Sequence, residues 1–213
     1  MIIVTILDES GSMGVIKQST ISGFNEFMSE RKVDIRDNSK TISKFVKIIF
    51  NSTVRVEEYD NIDDVVLLDE DNYCPNGMTA LYDAIGCGFD VIDDYCGEEV
   101  WFIIITDGLE NRSVKYKKTQ IQKSMSLYKK CDNWNFIFCG ANQDSYLTSC
   151  ELGMDDDDTV IDFTQNADSV GSLYRHISRQ VSGNILKNEI YEASPKFSDK
   201  RPTLVRTTTD TSI

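Results

Sequence analysis

Asp8, Ser10 and Ser12 occupy alternate positions of Asp8-Glu9-Ser10-Gly11-Ser12, directly after the apolar run Ile2-Ile3-Val4-Thr5-Ile6-Leu7. One carboxylate with neutral oxygens suits a hard cation such as Mg²⁺, which takes oxygen ligands and keeps several waters. Two more segments can bring oxygens to the same place. In Asn76-Gly77-Met78-Thr79-Ala80-Leu81-Tyr82-Asp83-Ala84, Gly77 permits a tight loop and Thr79 precedes a helix predicted to start at about Ala80. There the Thr79 hydroxyl can cap the helix or reach a metal. In Ile103-Ile104-Ile105-Thr106-Asp107-Gly108, a second apolar run delivers an aspartate. Each feature also has a plain structural reading: Ser10 and Ser12 as helix caps, Thr79 as the cap of its own helix, Asp107 as part of a turn with Gly108.

These residues form one site only if the fold brings them to one edge. Short runs that are apolar throughout read as strands buried on both faces, as in parallel α/β sheets. They recur at residues 2–7, 45–50, 101–106, 134–139 and, more briefly, 159–163. Between them lie helical spacings: Ile21, Phe24, Phe27 and Met28; Leu81, Ile85, Phe89 and Ile92; Ile121, Met125 and Tyr128; and Val170, Leu173, Ile177 and Val181. The polar turn Asn51-Ser52-Thr53 predicts that residues 54–59 return as an antiparallel edge strand, with Glu57 and Glu58 suited to partial exposure. The alternation predicts a doubly wound α/β fold with helices on both faces of the sheet. Ligands of such sheets bind at the carboxyl ends of the strands, where Asp8 and Asp107 both fall.

The whole chain narrows the reading further. Its 213 residues, 40% hydrophobic and 27% charged with three prolines, suffice for one substantial core. Residues 1–192 are expected to form one domain and residues 193–213, poor in apolar side chains, a disordered tail. No apolar stretch reaches membrane-span length and the N-terminus lacks the pattern of a signal peptide, so a cytoplasmic location is expected. A net charge of −13 opposes binding to nucleic acid. The cysteines 74, 87, 96, 131, 139 and 150 form no CxxC pair and His176 is remote from them, which predicts reduced thiols rather than zinc ligands. The acidic run Asp155-Asp156-Asp157-Asp158 lacks the spacing of a calcium loop and reads as a solvated turn.

At the three segments singled out first, the chain resembles the von Willebrand factor A domain family, which includes integrin I domains. That family's metal-ion-dependent adhesion site has the pattern DxSxS, then a distant Thr, then a distant Asp. Asp8, Ser10 and Ser12 fill the first part, Thr79 the second and Asp107 the third, in the order and context the family requires. The resemblance implies a Rossmann-like fold whose six-stranded sheet is mostly parallel, with one antiparallel edge strand. It also implies a Mg²⁺ site, with Mn²⁺ or Ca²⁺ as substitutes. Ser10, Ser12 and Thr79 would contact the ion directly or nearly so, and Asp8 and Asp107 directly or through water. One position would remain for a partner's exposed Asp or Glu. Glu9, Gly11, Met13, Gly77, Met78, Gly108, Asn142 and Gln143 are the expected rim around it. The segment from Gly140 to Asp144 resembles one in stand-alone bacterial and phage members. Intracellular members of that kind work beside ring-shaped ATPases or in multiprotein assemblies, so the resemblance implies an adaptor and not an enzyme.

Two other readings compete. Haloacid-dehalogenase-like phosphatases also place an Asp after a first strand and another after a later one. They carry a second acid two residues beyond the first, where this chain has Ser10, and a lysine after a later strand that is not evident here. A structural domain whose metal site goes unused is the third reading.

Overall fold

The computed structural model describes residues 1–36, 41–92, 97–141, 145–154 and 158–183. The expected tail, most of the acidic run 155–158, Cys96, Asn142 and Gln143 lie outside the described residues.

The apolar runs form the strands β1 (Ile2–Asp8), β2 (Lys44–Phe50), β4 (Val100–Thr106), β5 (Trp134–Ala141) and β6 (Thr159–Phe163), and Val54–Tyr59 is β3. The helices are α1 (Lys17–Arg36), α2 (Leu81–Ile92), α3 (Lys118–Tyr128), α4 (Ser145–Leu152) and α5 (Ala167–Val181). Strand order is β3-β2-β1-β4-β5-β6, all parallel except β3, which pairs antiparallel with β2. The expected sheet is therefore present. β3 is the half-exposed edge and β1 and β4 are central, buried at every position.

A strand sends alternate side chains to opposite faces, and that period divides the interior into two cores. Ile3, Leu7, Phe45, Ile103 and Ile105 pack with α1 and α5 on one face. Ile2, Val4, Ile6, Phe102 and Ile104 pack with α2 and α3 on the other. On the second face Trp134 stacks on Tyr128 with ring centroids 4.0 Å apart, and Phe89 stacks on Phe102 at 4.8 Å. Between α1 and α5 the guanidinium of the buried Arg31 donates to Ser178 Oγ (2.7 Å) and Ser182 Oγ (2.8 Å) and pairs with Asp34 (3.1 Å).

Helix α4 is the element no apolar spacing announced. Its inward positions are Ser145, Ser149 and Leu152, whereas Tyr146 and Leu147 are exposed, so only one of its apolar residues marks the buried face.

Chain direction places the site. From β1 the chain passes to β2 on one side, and the later strands build from β4 on the other, so the switch point of the sheet lies between β1 and β4. Leu7 pairs with Ile105, which brings Asp8 and Thr106 to the same level at the carboxyl edge.

Candidate metal centre

Asp8 closes β1 with no exposed surface, and both its oxygens are engaged. Oδ1 accepts from the Ser10 amide (2.6 Å) and Oδ2 from Thr106 Oγ1 (2.6 Å). Burial pushes its pKa from 3.8 up to about 6, against these hydrogen bonds; the neighbouring Asp107 adds to the rise. Tyr73 Oη donates to the Asp8 carbonyl (2.6 Å) and anchors the strand end.

From Asp8 the contacts run unbroken to Asp107. Ser10 Oγ and Ser12 Oγ are 3.1 Å apart, and Ser12 Oγ donates to Asp107 Oδ1 (2.6 Å). Gln165, in the connection from β6 to α5, donates through Nε2 to the other oxygen of Asp107. Burial raises the pKa of Asp107 as well, opposed by the Ser12 and Gln165 hydrogen bonds.

Thr79 joins this group from the second segment. A Cβ built on Gly108 would lie 3.1 Å from Thr79 Oγ1 and 3.9 Å from Asp8 Oδ2, so both oxygens crowd the same glycine. The loop before Thr79 is held by Gly77, whose φ of +74° is a left-handed conformation. Gly77 O accepts from the Gly11 amide (3.2 Å), which ties the second segment to the first.

The capping alternatives can now be decided. Ser10 precedes the 3₁₀ turn Gly11–Ile16 without a side-chain cap bond. The first-turn amides of α2 are taken from elsewhere: Tyr82 N donates to Glu110 Oε2 (2.9 Å) and Asp83 N to Ser113 Oγ (3.0 Å). Thr79 N donates to Asn111 Oδ1 (2.8 Å). Thr79 is only 3% exposed, yet among the described residues its hydroxyl has no hydrogen-bond partner. The turn after Asp107 is closed by Thr106 Oγ1, which accepts from Gly108 N (3.2 Å), and not by Asp107.

Two expected rim residues are not on the rim. Glu9 is 2% exposed and turns away from the crevice, where it accepts from Arg55 Nη1 (3.0 Å) and Cys74 N (2.7 Å). Met13 is fully buried in the α1–α5 core, because the 3₁₀ turn points it inward with Ile16. Gly11, Gly77 and Met78 are exposed and Gly108 partly so.

Four supporting residues escaped the sequence reading: Tyr73, Thr106, Asn111 and Gln165. Thr106 alone left a local signal, a polar residue at the end of an otherwise apolar strand. Asp83 belongs with them: it accepts from Val114 N (2.9 Å), Lys115 N (2.9 Å) and Tyr116 N (2.7 Å), pinning the connection after β4 onto α2. Asp83→Ala strands three amides and should lower stability by about 2–4 kcal/mol, measured by urea unfolding.

The donor set fits a hard cation: two carboxylates and three hydroxyls, all oxygen. Among the described residues no cluster of three His, Cys, Asp or Glu exists, so a site rich in nitrogen or sulfur has no support there. A separate open cavity of about 220 Å³ lies beside β2 and β3. None of the five ligand candidates lines it, and its Lys47 and Arg55 are already paired with Glu57 and Glu9.

No protein-family model matches this sequence, and a comparison with curated proteins gives no match. Solved structures do match. The vWF domain of the type V pili tip protein Mfa5 from Porphyromonas gingivalis is 10% identical over 89% of this chain and 97% of that one, with a TM-score of 0.59. The von Willebrand factor type A protein from Catenulispora acidiphila is 14% identical over 85% of this chain and 42% of its own, with a TM-score of 0.56. Proximal thread matrix protein 1 from the mussel byssus, solved with zinc in its metal-ion-dependent adhesion site motif, is 15% identical over 85% and 45%, with a TM-score of 0.51. The chain thus spans less than half the length of the last two. At such identities the likeness establishes architecture: this chain has the Rossmann-like α/β fold of von Willebrand factor A domains.

Proposed function

We propose that this chain is a protein-interaction module that holds a divalent cation, Mg²⁺ in the first instance, at the carboxyl edge of β1 and β4. Ser10, Ser12 and Thr79 are the hydroxyl ligands, with Asp8 and Asp107 binding directly or through water. The observation that carries this reading is the convergence of the hydrogen-bonded series Ser10–Ser12–Asp107 with Thr79, whose hydroxyl caps no amide of α2 because Glu110 and Ser113 take the first-turn amides. The zinc-occupied motif of the mussel protein supports a metal at this place in the fold.

The bound cation supplies positive charge that a partner's carboxylate can complete. The chain's own residues keep that charge underneutralised, since Thr106 and Ser10 share the charge of Asp8 and Gln165 that of Asp107. The partner is a protein offering an exposed Asp or Glu, and a ring ATPase or other multiprotein assembly that presents such a side chain fits the role. The phosphatase reading has no acid to serve it: residue 10 is serine, and the adjacent Glu9 is buried against Arg55. Among the described residues no helix is long and apolar enough to cross a membrane. A cytoplasmic setting accords with the reduced thiols at 74, 87, 131, 139 and 150.

Calorimetric titration with Mg²⁺ and then acetate tests the proposal. Saturable Mg²⁺ binding, followed by acetate binding that requires the metal, is the expected result; a folded protein that takes up no divalent cation would defeat it.

The pH dependence has a definite sign. Asp8 binds its proton more tightly in the folded chain than in the unfolded one. Its contribution to stability is therefore full below pH 3.8 and is lost as pH rises to about 6. A cation needs the carboxylate, so proton and metal compete. The rise in Tm produced by Mg²⁺ should be largest above pH 6 and fade below it, which a thermal-shift series across pH would record.

A further inference from the structure

Three exposed apolar side chains flank the candidate metal centre of an otherwise acidic protein. Val15 is 77% exposed, Met78 46% and Leu109 62%. Each sits on a different one of the three segments that carry the candidate ligands. In the 3₁₀ turn Gly11–Ile16, side chains three apart lie over one another, so Val15 shares the face of Ser12 just as Ile16 shares the inward face of Met13. Met78 directly precedes Thr79, and Leu109 follows Gly108, where a Cβ would meet the oxygens of Thr79 and Asp8. Residues 11–15, 76–78 and 108–109 include no charged side chain, although the chain as a whole carries −13.

The clustering is uneven over the molecule. Of the eleven large apolar side chains exposed among the described residues, three lie on the segments that carry the candidate ligands: Val15, Met78 and Leu109. Scattered single apolar residues need no explanation, but exposed apolar side chains on each of three segments that converge on a charged centre mark an interaction surface. An apolar border also excludes water and strengthens the electrostatic contact it encloses.

Resting on the metal-dependent reading above, we infer that the partner presents one carboxylate between apolar side chains, which lie against Val15, Met78 and Leu109 while the carboxylate meets the cation. Charge complementarity selects this occupant. The cation attracts a single anion, and residues 11–15, 76–78 and 108–109 carry no basic side chain that would pair with additional acidic residues.

The test compares two peptides of equal charge, acetyl-Gly-Ile-Glu-Ile-Gly-amide and acetyl-Gly-Ser-Glu-Ser-Gly-amide, titrated into the whole chain with Mg²⁺. The isoleucine peptide is expected to bind at least about tenfold more tightly. Leu109→Ser combined with Met78→Ser should erase that advantage while Mg²⁺ and acetate binding stay unchanged. Equal affinity of the two peptides for wild-type protein, or a preference that survives in the double variant, would overturn the inference and leave the metal reading intact. A preference that persists in EDTA, or when Gln replaces the peptide's Glu, would instead overturn carboxylate capture. Self-association through this face, abolished by the same two substitutions, would assign the surface to a second copy of the chain and overturn the inference.

Discussion

Asp8→Asn should eliminate the thermal shift caused by Mg²⁺ and, in EDTA near neutral pH, leave the protein at least as stable as wild type. The two effects have one cause. The fold buries Asp8 completely and raises its pKa to about 6, so near neutrality the chain carries a charge that its surroundings disfavour. Asparagine keeps an oxygen for the Ser10 amide and removes the charge, and its amide can donate to Thr106 Oγ1, which also accepts from Gly108. Relief of about 1 kcal/mol would raise Tm by roughly 2–4 °C for a chain of this size. Cation affinity depends on that same charge and should fall by about 100-fold or more. A residue retained for packing behaves in the opposite way, since its replacement lowers stability with and without metal. Differential scanning fluorimetry of both proteins, with Mg²⁺ and with EDTA, separates the two cases.

Gly23→Val should be the most damaging single substitution on the helical face that backs the site. A valine side chain suits a helix slightly better than glycine, by a few tenths of a kcal/mol. Against this, a Cβ at position 23 would lie 2.2 Å from the ring of Tyr174 on α5. That ring is 3% exposed and enclosed by the core, so it has little room to yield. Overpacking of this kind costs about 1–3 kcal/mol and outweighs the propensity term. Urea unfolding should show a lower midpoint for Gly23→Ala and a still lower one for Gly23→Val. Because the clash is with one side chain, Gly23→Ala combined with Tyr174→Ala should cost less than the sum of the two changes.

The fold was legible because its strands are apolar on both faces, a pattern that few other architectures produce. The turn at Asn51-Ser52-Thr53 and the charges of Glu57 and Glu58 likewise marked β3 as the edge. Helix α4 was not legible, since two of its three buried residues are serines and its exposed face holds Tyr146 and Leu147. For the candidate site, the three segments could be read because their oxygens stand at strand ends and a helix start, which α/β topology brings together. Their supports could not. Gln165 reaches Asp107 from 58 positions away and Tyr73 reaches Asp8 from 65, and no local pattern encodes such a pairing. Glu9 and Met13 were misplaced for a related reason. Proximity in sequence to Asp8 and Ser12 suggested the rim, but a strand end and a 3₁₀ turn send neighbouring side chains in opposite directions.

Whether the three hydroxyls share one cation is tested most directly by crystals soaked in Mn²⁺, whose anomalous signal locates the ion without reference to activity. The account predicts one strong peak within coordination distance of Ser10, Ser12 and Thr79, beside Asp8 and Asp107. A well-ordered crystal with no peak there, or with its only peak elsewhere on the acidic surface, would contradict it.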